Sequence, residues 1–291
     1  MKTYSVRKFI VIVGVLFLVL VVSAPPASAQ RLIGALGAGP GTSTLVELHP
    51  VTGALIGTIG GVGYRVNGMT WDQTTGTLFA TTSNNDATFP DGLISIDLAT
   101  GAGTPIGTGA GQLVNNPAAN SVGAVYGWTE SGDDPVLWNT AAGTVTLVGI
   151  SGISTLAHGL SFDNSDTLYL MDDGVQVYTI DTTSGVATSV GAVTTATGYA
   201  HHGDFHPTTN LYYGIETTPW DAGPRTLVVI DAATQTVVST IPTTIDALHV
   251  ITFVEGALVS VNVPTIGSYG VAALVLLMAM IAVIVIRRQL V

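Results

Sequence analysis

Apolar and polar positions alternate along most of this chain in short runs, and Gly, Asn, Asp and Pro break the runs. Val177-Tyr178-Thr179-Ile180 leads into Asp181, Gly185 follows four positions later, and a second β-branched run closes at Val190-Gly191. Period-2 patterning on both sides of a turn residue and a glycine predicts an antiparallel hairpin. The same four-residue offset recurs as His49 with Gly53, Asp97 with Gly101, Asn139 with Gly143, and Asp231 with Gln235. The turn residues stand 48, 42, 42 and 50 positions apart. A period of that size is one propeller blade of four strands.

Between the hairpins stands a second recurrent unit, a strand with an aromatic residue, a turn, and another strand. VNGMTWDQTTGTLFATT, AHGLSFDNSDTLYLMDD and AHHGDFHPTTNLYYGIE share it; VNNPAANSVGAVYGWTE has Ala119 at the aromatic position, and LHVITFVEGALVSV fits more loosely. No segment between the two ends has helical periodicity, so the fold class is all-β. The aromatic strand is read as innermost, with the hairpin strands outermost. The chain then begins on the second strand of a blade, at Arg31 to Gly37, with Thr44 to Gly60 supplying the outer hairpin. Its missing innermost strand is expected from Leu248 to Val254, which closes a five-bladed ring and removes free sheet edges. Ala257 to Val261 also resembles a strand, and a sixth, imperfect blade is the alternative.

The two ends have another character. Lys2, Arg7 and Lys8 precede the apolar run Phe9 to Val22, and Ala27-Ser28-Ala29 follows. This is the layout of a secretory signal peptide, residues 1–29, cleaved before Gln30. At the other end Val271 to Ile286 is uninterruptedly apolar and Arg287-Arg288 follow, which predicts a transmembrane helix over 271–286 with its arginines cytoplasmic. Residues 30–262 form the expected propeller. An inner-membrane-anchored precursor with an exported body follows from the two ends together.

Hydrophobic residues make up 47% of the 291 positions and charged residues only 9%. Five of the eight basic residues lie in the end segments, so the body carries three basic against nineteen acidic residues, a net charge of −16 with His neutral. That field repels phosphate backbones and excludes nucleic acid as a partner. The chain has no cysteine, so disulfides and thiolate metal sites are absent, and no cofactor is indicated.

Registering the innermost strands on their aromatic position exposes a polar column four residues earlier: Asn67, Asn115, His158, His201 and His249. Equivalent positions converge on the channel of a propeller. His158, His201 and His249 are therefore candidate metal ligands, since zinc accepts three imidazoles and a water. Asn67 and Asn115 are candidate rim ligands, and a hydrated polar rim is the competing reading. His206 and His49 occupy turn positions held elsewhere by Asp and are read as turn residues. Asp163-Asn164-Ser165-Asp166 and Asp172-Asp173-Gly174 lack calcium-loop spacing and read as acidic turns. Gly37, Gly39 and Gly41 precede no helix, and no nucleophile-and-base signature is present, so no catalytic residue is named. Trp71, Trp128, Trp138 and Trp220 are candidates for a sugar-stacking surface, but Trp71, Trp128 and Trp138 lie in strands and are expected in the core.

The stretch Val263-Pro264-Thr265-Ile266-Gly267-Ser268-Tyr269-Gly270, followed by the span and Arg287-Arg288, resembles the IPTL-CTERM sorting signal of Gram-negative bacteria. The resemblance covers about the last thirty residues, and Val263, Ile266 and Tyr269 depart conservatively from it. It implies recognition by a membrane exosortase, removal of the tail and delivery to the cell surface or exopolysaccharide matrix. The body looks like propellers of Asp-x-x-T-G repeats with NHL- or WD40-like blades, families that share no single activity. Three functions fit: a surface binding protein for polysaccharide or an envelope protein, a propeller lyase or hydrolase working through the channel histidines, and a structural surface component.

Overall fold

A computed structural model describes residues 30–37, 41–155, 158–172, 176–195, 200–216 and 224–255. The signal peptide, the sorting tail and its span, Gly39, Trp220, Asp173-Gly174 and the strand expected over 257–261 lie outside the described residues, as does the side chain of His158. The described residues form twenty strands and no helix.

The strands form five antiparallel sheets of four. Blade 1 contains β1 (Gln30–Leu36), β2 (Thr44–Leu48) and β3 (Leu55–Gly61). Blade 2 contains β4 (Val66–Asp72), β5 (Thr77–Thr82), β6 (Leu93–Ile96) and β7 (Gly103–Ile106). Blade 3 contains β8 (Val114–Ala119), β9 (Val125–Thr129), β10 (Pro135–Asn139) and β11 (Thr144–Leu147). Blade 4 is β12 (His158–Phe162), β13 (Leu168–Asp172), β14 (Gln176–Ile180) and β15 (Ala187–Ala192). Blade 5 is β16 (His201–Phe205), β17 (Tyr212–Glu216), β18 (Pro224–Asp231) and β19 (Thr236–Asp246). The last strand, β20 (Leu248–Glu255), returns to blade 1 and pairs with β1 from Gln30 opposite Glu255 to Leu36 opposite Leu248. The chain is a five-bladed β-propeller closed by its own two ends. The innermost strands β20, β4, β8, β12 and β16 touch in that order, and β16 meets β20 again.

Local chemistry explains the hairpins. The residue at the turn start accepts backbone N–H bonds two and three positions on at Asn139, Asp181 and Asp231, as Asp181 Oδ1 does from Thr183 and Ser184 at 2.8 Å, and Asp97 accepts from Ala99 two positions on. His49 does the same through Nδ1, at 3.2 and 3.3 Å from the N–H groups of Val51 and Thr52. Histidine therefore replaces aspartate as an acceptor in this turn. The fifth residue takes the left-handed conformation, with φ of +67° at Gly53, +81° at Gly101 and +54° at Gln235.

The glycines of these turns also join the blades. A Cβ on Gly60 in β3 would lie 1.9 Å from Thr100 O, beside the Gly101 turn of blade 2. The same seam recurs where a Cβ on Gly107 would lie 1.7 Å from Ala142 O and one on Gly149 would lie 1.9 Å from Ser184 O. Backbone thus packs on backbone around the outside of the ring, and only glycine permits the approach. Deeper in, an apolar cluster fills each seam, for example Leu45, Leu78 and Ile94 between blades 1 and 2. Phe79, Val125 and Trp138 do so between blades 2 and 3.

Candidate functional site

The innermost strands run in one direction: Asn67 reaches Asn115 near their starts, and Ala119 N donates to Thr70 Oγ1 at 2.9 Å near their ends. The channel consequently has two chemically different ends. At the first, four of the five innermost strands carry an extra residue. Pairing slips between Val66 and Gly68, Asn115 and Ala118, and His201 and Asp204, and again around His249, while β12 pairs regularly. Asn116 and His202 take φ of +46° and +52° there. Such bulges turn side chains away from the sheet alternation.

The bulges bring part of the polar column together. His249 Nε2 donates to Asn67 Oδ1 at 3.3 Å, Asn67 Nδ2 donates to Asn115 Oδ1, and Asn115 Nδ2 donates to Glu130 Oε1. His202, absent from the sequence-derived column, donates from Nδ1 to His249 O at 2.9 Å. Its ring stands between the other two imidazoles, with centroids 4.6 Å from both His201 and His249 and near-perpendicular planes. His158 starts β12 opposite Asp172. Among the described residues no group of three or more His, Asp or Glu side chains could hold a metal ion.

Burial sets the charge state of this end. It depresses His202 to about 4. It also pushes His249 well below the ordinary imidazole range, helped by the charges of His202, Arg65 and Arg225. Burial raises Glu130, against the Asn115 hydrogen bond that favours its anion. Neutral imidazoles, two amides and a terminal carboxylate acceptor form a hydrogen-bonded chain in which each amide is both donor and acceptor. Glu130 could have been found in the sequence, because it directly follows its strand in VYGWTE, where Glu216 ends its own in LYYGIE. His202 could not, since its position depends on the bulge.

At the other end the aromatic positions meet. Trp71, Ala119, Phe162, Phe205 and Phe253, one from each innermost strand, border one cavity of about 220 Å³, with Asn120, Ser121, Asp163, Asp166 and Glu255 around them. Phe162, Phe205 and Phe253 are nearly fully buried, whereas Trp71 is only half-buried. Trp128 and Trp138 occupy the core as expected, and Trp71 packs against the apolar cluster between blades 1 and 2 while also lining the cavity.

The cavity floor is Asp204. Its Oδ1 accepts from Ser161 Oγ at 2.5 Å and Phe205 N at 2.9 Å; its Oδ2 accepts from Thr252 Oγ1 at 2.8 Å and Phe253 N at 2.9 Å. Burial raises Asp204 despite these four donors. It ties β12, β16 and β20 together and has no lone-pair direction left over for a ligand. The rim is made of turns stitched across blades: Ser121 N donates to Asp166 Oδ1 at 2.8 Å, Asn164 N to Asn210 Oδ1 at 2.7 Å, and Gln30 Nε2 to Thr208 Oγ1 at 2.5 Å. Asp163 and His206 act as turn residues here, Asp163 accepting from Ser165 N and Thr167 N, and His206 Nδ1 from Thr208 N and Thr209 N.

No known family profile and no curated protein matches the sequence. Solved structures do resemble it. A chain of a nidogen/laminin complex is 13% identical, with 78% of this chain and 98% of that one covered at a TM-score of 0.50. TolB from Acinetobacter baumannii is 10% identical over 87% of this chain and 74% of its own, with a TM-score of 0.48. Hydrazine synthase of Kuenenia stuttgartiensis is 15% identical at a TM-score of 0.42, and this chain spans 49% of its length. At such identities the likeness is one of fold alone.

Proposed function

We propose that the chain is an exported binding protein whose aromatic channel mouth takes a sugar unit of the exopolysaccharide matrix. The cavity at Trp71 carries this reading. Its volume, about 220 Å³, equals roughly seven waters, enough for one ring of a polymer and too little for an oligomer. The half-buried indole supplies apolar surface, and the amides, hydroxyl and carboxylates around it supply partners for sugar hydroxyls. Support for export and surface sorting comes from the residues at the two ends. Lys2 to Ala29 would direct translocation, and Val263 to Arg288 would anchor the precursor until an exosortase released the body.

Titrating the full-length chain in mild detergent with neutral oligosaccharides, followed by tryptophan fluorescence and calorimetry, tests the site. Ala119→Phe fills the mouth with an aromatic side chain of the kind three other innermost strands carry there, so it should remove binding without lowering the melting temperature. Trp71→Ala should weaken binding by about tenfold or more, as loss of a buried aromatic contact does. Binding unchanged in both variants would refute the assignment.

A further inference from the structure

We infer that the channel mouth selects a sugar bearing a free, protonated amine. This rests on the sugar-binding reading above and adds the sign of the ligand. Among the described residues no Lys, Arg or His lines the cavity, while Asp163, Asp166 and Glu255 do. Asp204 is buried in the scaffold by its four donors, so the negative charge nearest the opening belongs to the three rim carboxylates; Asp166 also accepts from Ser121, and Asp163 from Ser165, Thr167 and Asn210, which fixes them in place at the rim. Asp166 and Glu255 are exposed, and Asp163 is half-buried. These carboxylates come from two blades, Asp163 and Asp166 from blade 4 and Glu255 from blade 1, and line the same cavity as the half-buried Trp71 of blade 2.

An ammonium group placed over an indole face is attracted by the ring quadrupole, and carboxylates at the rim add to that attraction. A uronate or sulfated sugar would meet three like charges and no counter-charge, which disfavours it. A neutral sugar meets neither effect. The surrounding body reinforces the selection, because its net charge of −16 concentrates cations near every opening. Within the described residues, Arg31 is paired with Glu47 at 2.6 Å, and Arg65 and Arg225 act on His249 at the opposite end of the channel.

The experiment compares three probes on the full-length chain in mild detergent at pH 6 and low salt: a fully deacetylated glucosamine tetramer, its N-acetylated counterpart, and a galacturonic acid tetramer. The deacetylated tetramer should bind about tenfold tighter than the acetylated one. That advantage should shrink at 0.5 M salt, where exposed charges are screened to within a few ångströms. The double variant Asp166→Asn with Glu255→Gln should abolish the preference while still binding the acetylated tetramer; Asp246→Asn, an exposed carboxylate absent from the cavity lining, should not change it. Spermine, an amine without a sugar frame, should bind more weakly than the glucosamine tetramer. Equal affinity for the acetylated and deacetylated probes, or tighter binding of the galacturonate, overturns the amine selection and leaves the sugar site standing. Spermine binding as tightly as the tetramer overturns the sugar frame. Failure of all three sugars to bind overturns both readings.

Discussion

Replacing Gly143 with Ala tests whether the glycine seam holds the blades in register. A Cβ at Gly143 would sit 1.9 Å from Ile106 O and 2.7 Å from Ile106 C, on the backbone of the neighbouring blade. No rotamer relieves this, because the obstructing atoms are main chain. The seam is reciprocal, since a Cβ on Gly107 would meet Ala142 O at 1.7 Å. Gly143 also has φ of +67°, where an L-residue costs about 1–2 kcal/mol. Forcing the seam apart adds about 1–3 kcal/mol, the usual range for overpacking. The smaller entropy of the unfolded chain returns about 0.4–1 kcal/mol. The net destabilisation is about 1–5 kcal/mol, a fall in Tm of roughly 2–20 °C for a ring of this size.

The assay is thermal unfolding by circular dichroism, with two other glycines as controls. Gly111 has φ of +73° and nothing within 4 Å of its Cβ direction, so Gly111→Ala carries the backbone strain without the contact and should lower Tm by roughly 2–4 °C. Gly57 has open space and no positive φ, so Gly57→Ala should be close to neutral. If Gly143→Ala costs no more than Gly111→Ala, the seam contributes nothing beyond the turn, and the argument fails.

Acid should weaken the ring well above the carboxylate range. His202 is held at about 4 by burial, against about 6.5 for an unfolded histidine, so it stays neutral in the fold and takes up a proton on unfolding. Its contribution is complete above about pH 6.5 and is lost as pH falls from there towards 4, a span worth about 3 kcal/mol. Burial raises Glu130 and Asp204, which act in the opposite sense, so the comparison must be between variants. His202→Asn keeps a residue type that tolerates φ of +52°, and denaturant midpoints at pH 7, 6 and 5 should show a flatter decline; an unchanged slope would count against the assignment. Replacing Pro264 and Thr265 with Ala should leave an inserted, unprocessed precursor. A mature mass identical to that of the parent would remove the sorting proposal.

The architecture was legible because its signals are local. A hairpin needs one acceptor at the turn start, one residue in the left-handed conformation and period-2 strands on either side, and Asp181 with Gly185 displays all of them in a single stretch. The closing strand was legible from what blade 1 lacked, and β20 fills that place. The polar column was legible only in part. A bulge is set by two paired strands, so nothing in HHGDFH alone announces that His202 turns inward between His201 and His249. Trp71 packs against the core between blades 1 and 2 as its strand implies, and its second place, on the cavity wall, depends on side chains from other blades. The cavity itself depends on turns separated by whole blades, such as Ser121 with Asp166, which no local pattern encodes.

The difference between the channel ends gives a physical reason to place binding at the aromatic one. At the polar end His249, Asn67, Asn115 and Glu130 already satisfy one another, and a ligand entering there must break buried hydrogen bonds before it makes any. Each partner left unsatisfied would cost about 1–3 kcal/mol. At the aromatic end Asp204 is fully engaged with the scaffold and loses nothing when the cavity fills. The rim is held by bonds between blades 3 and 4, 4 and 5, and 5 and 1 before any ligand arrives. Little ordering entropy then remains to be lost on binding, and the contacts made at Trp71 and the rim carboxylates count nearly in full.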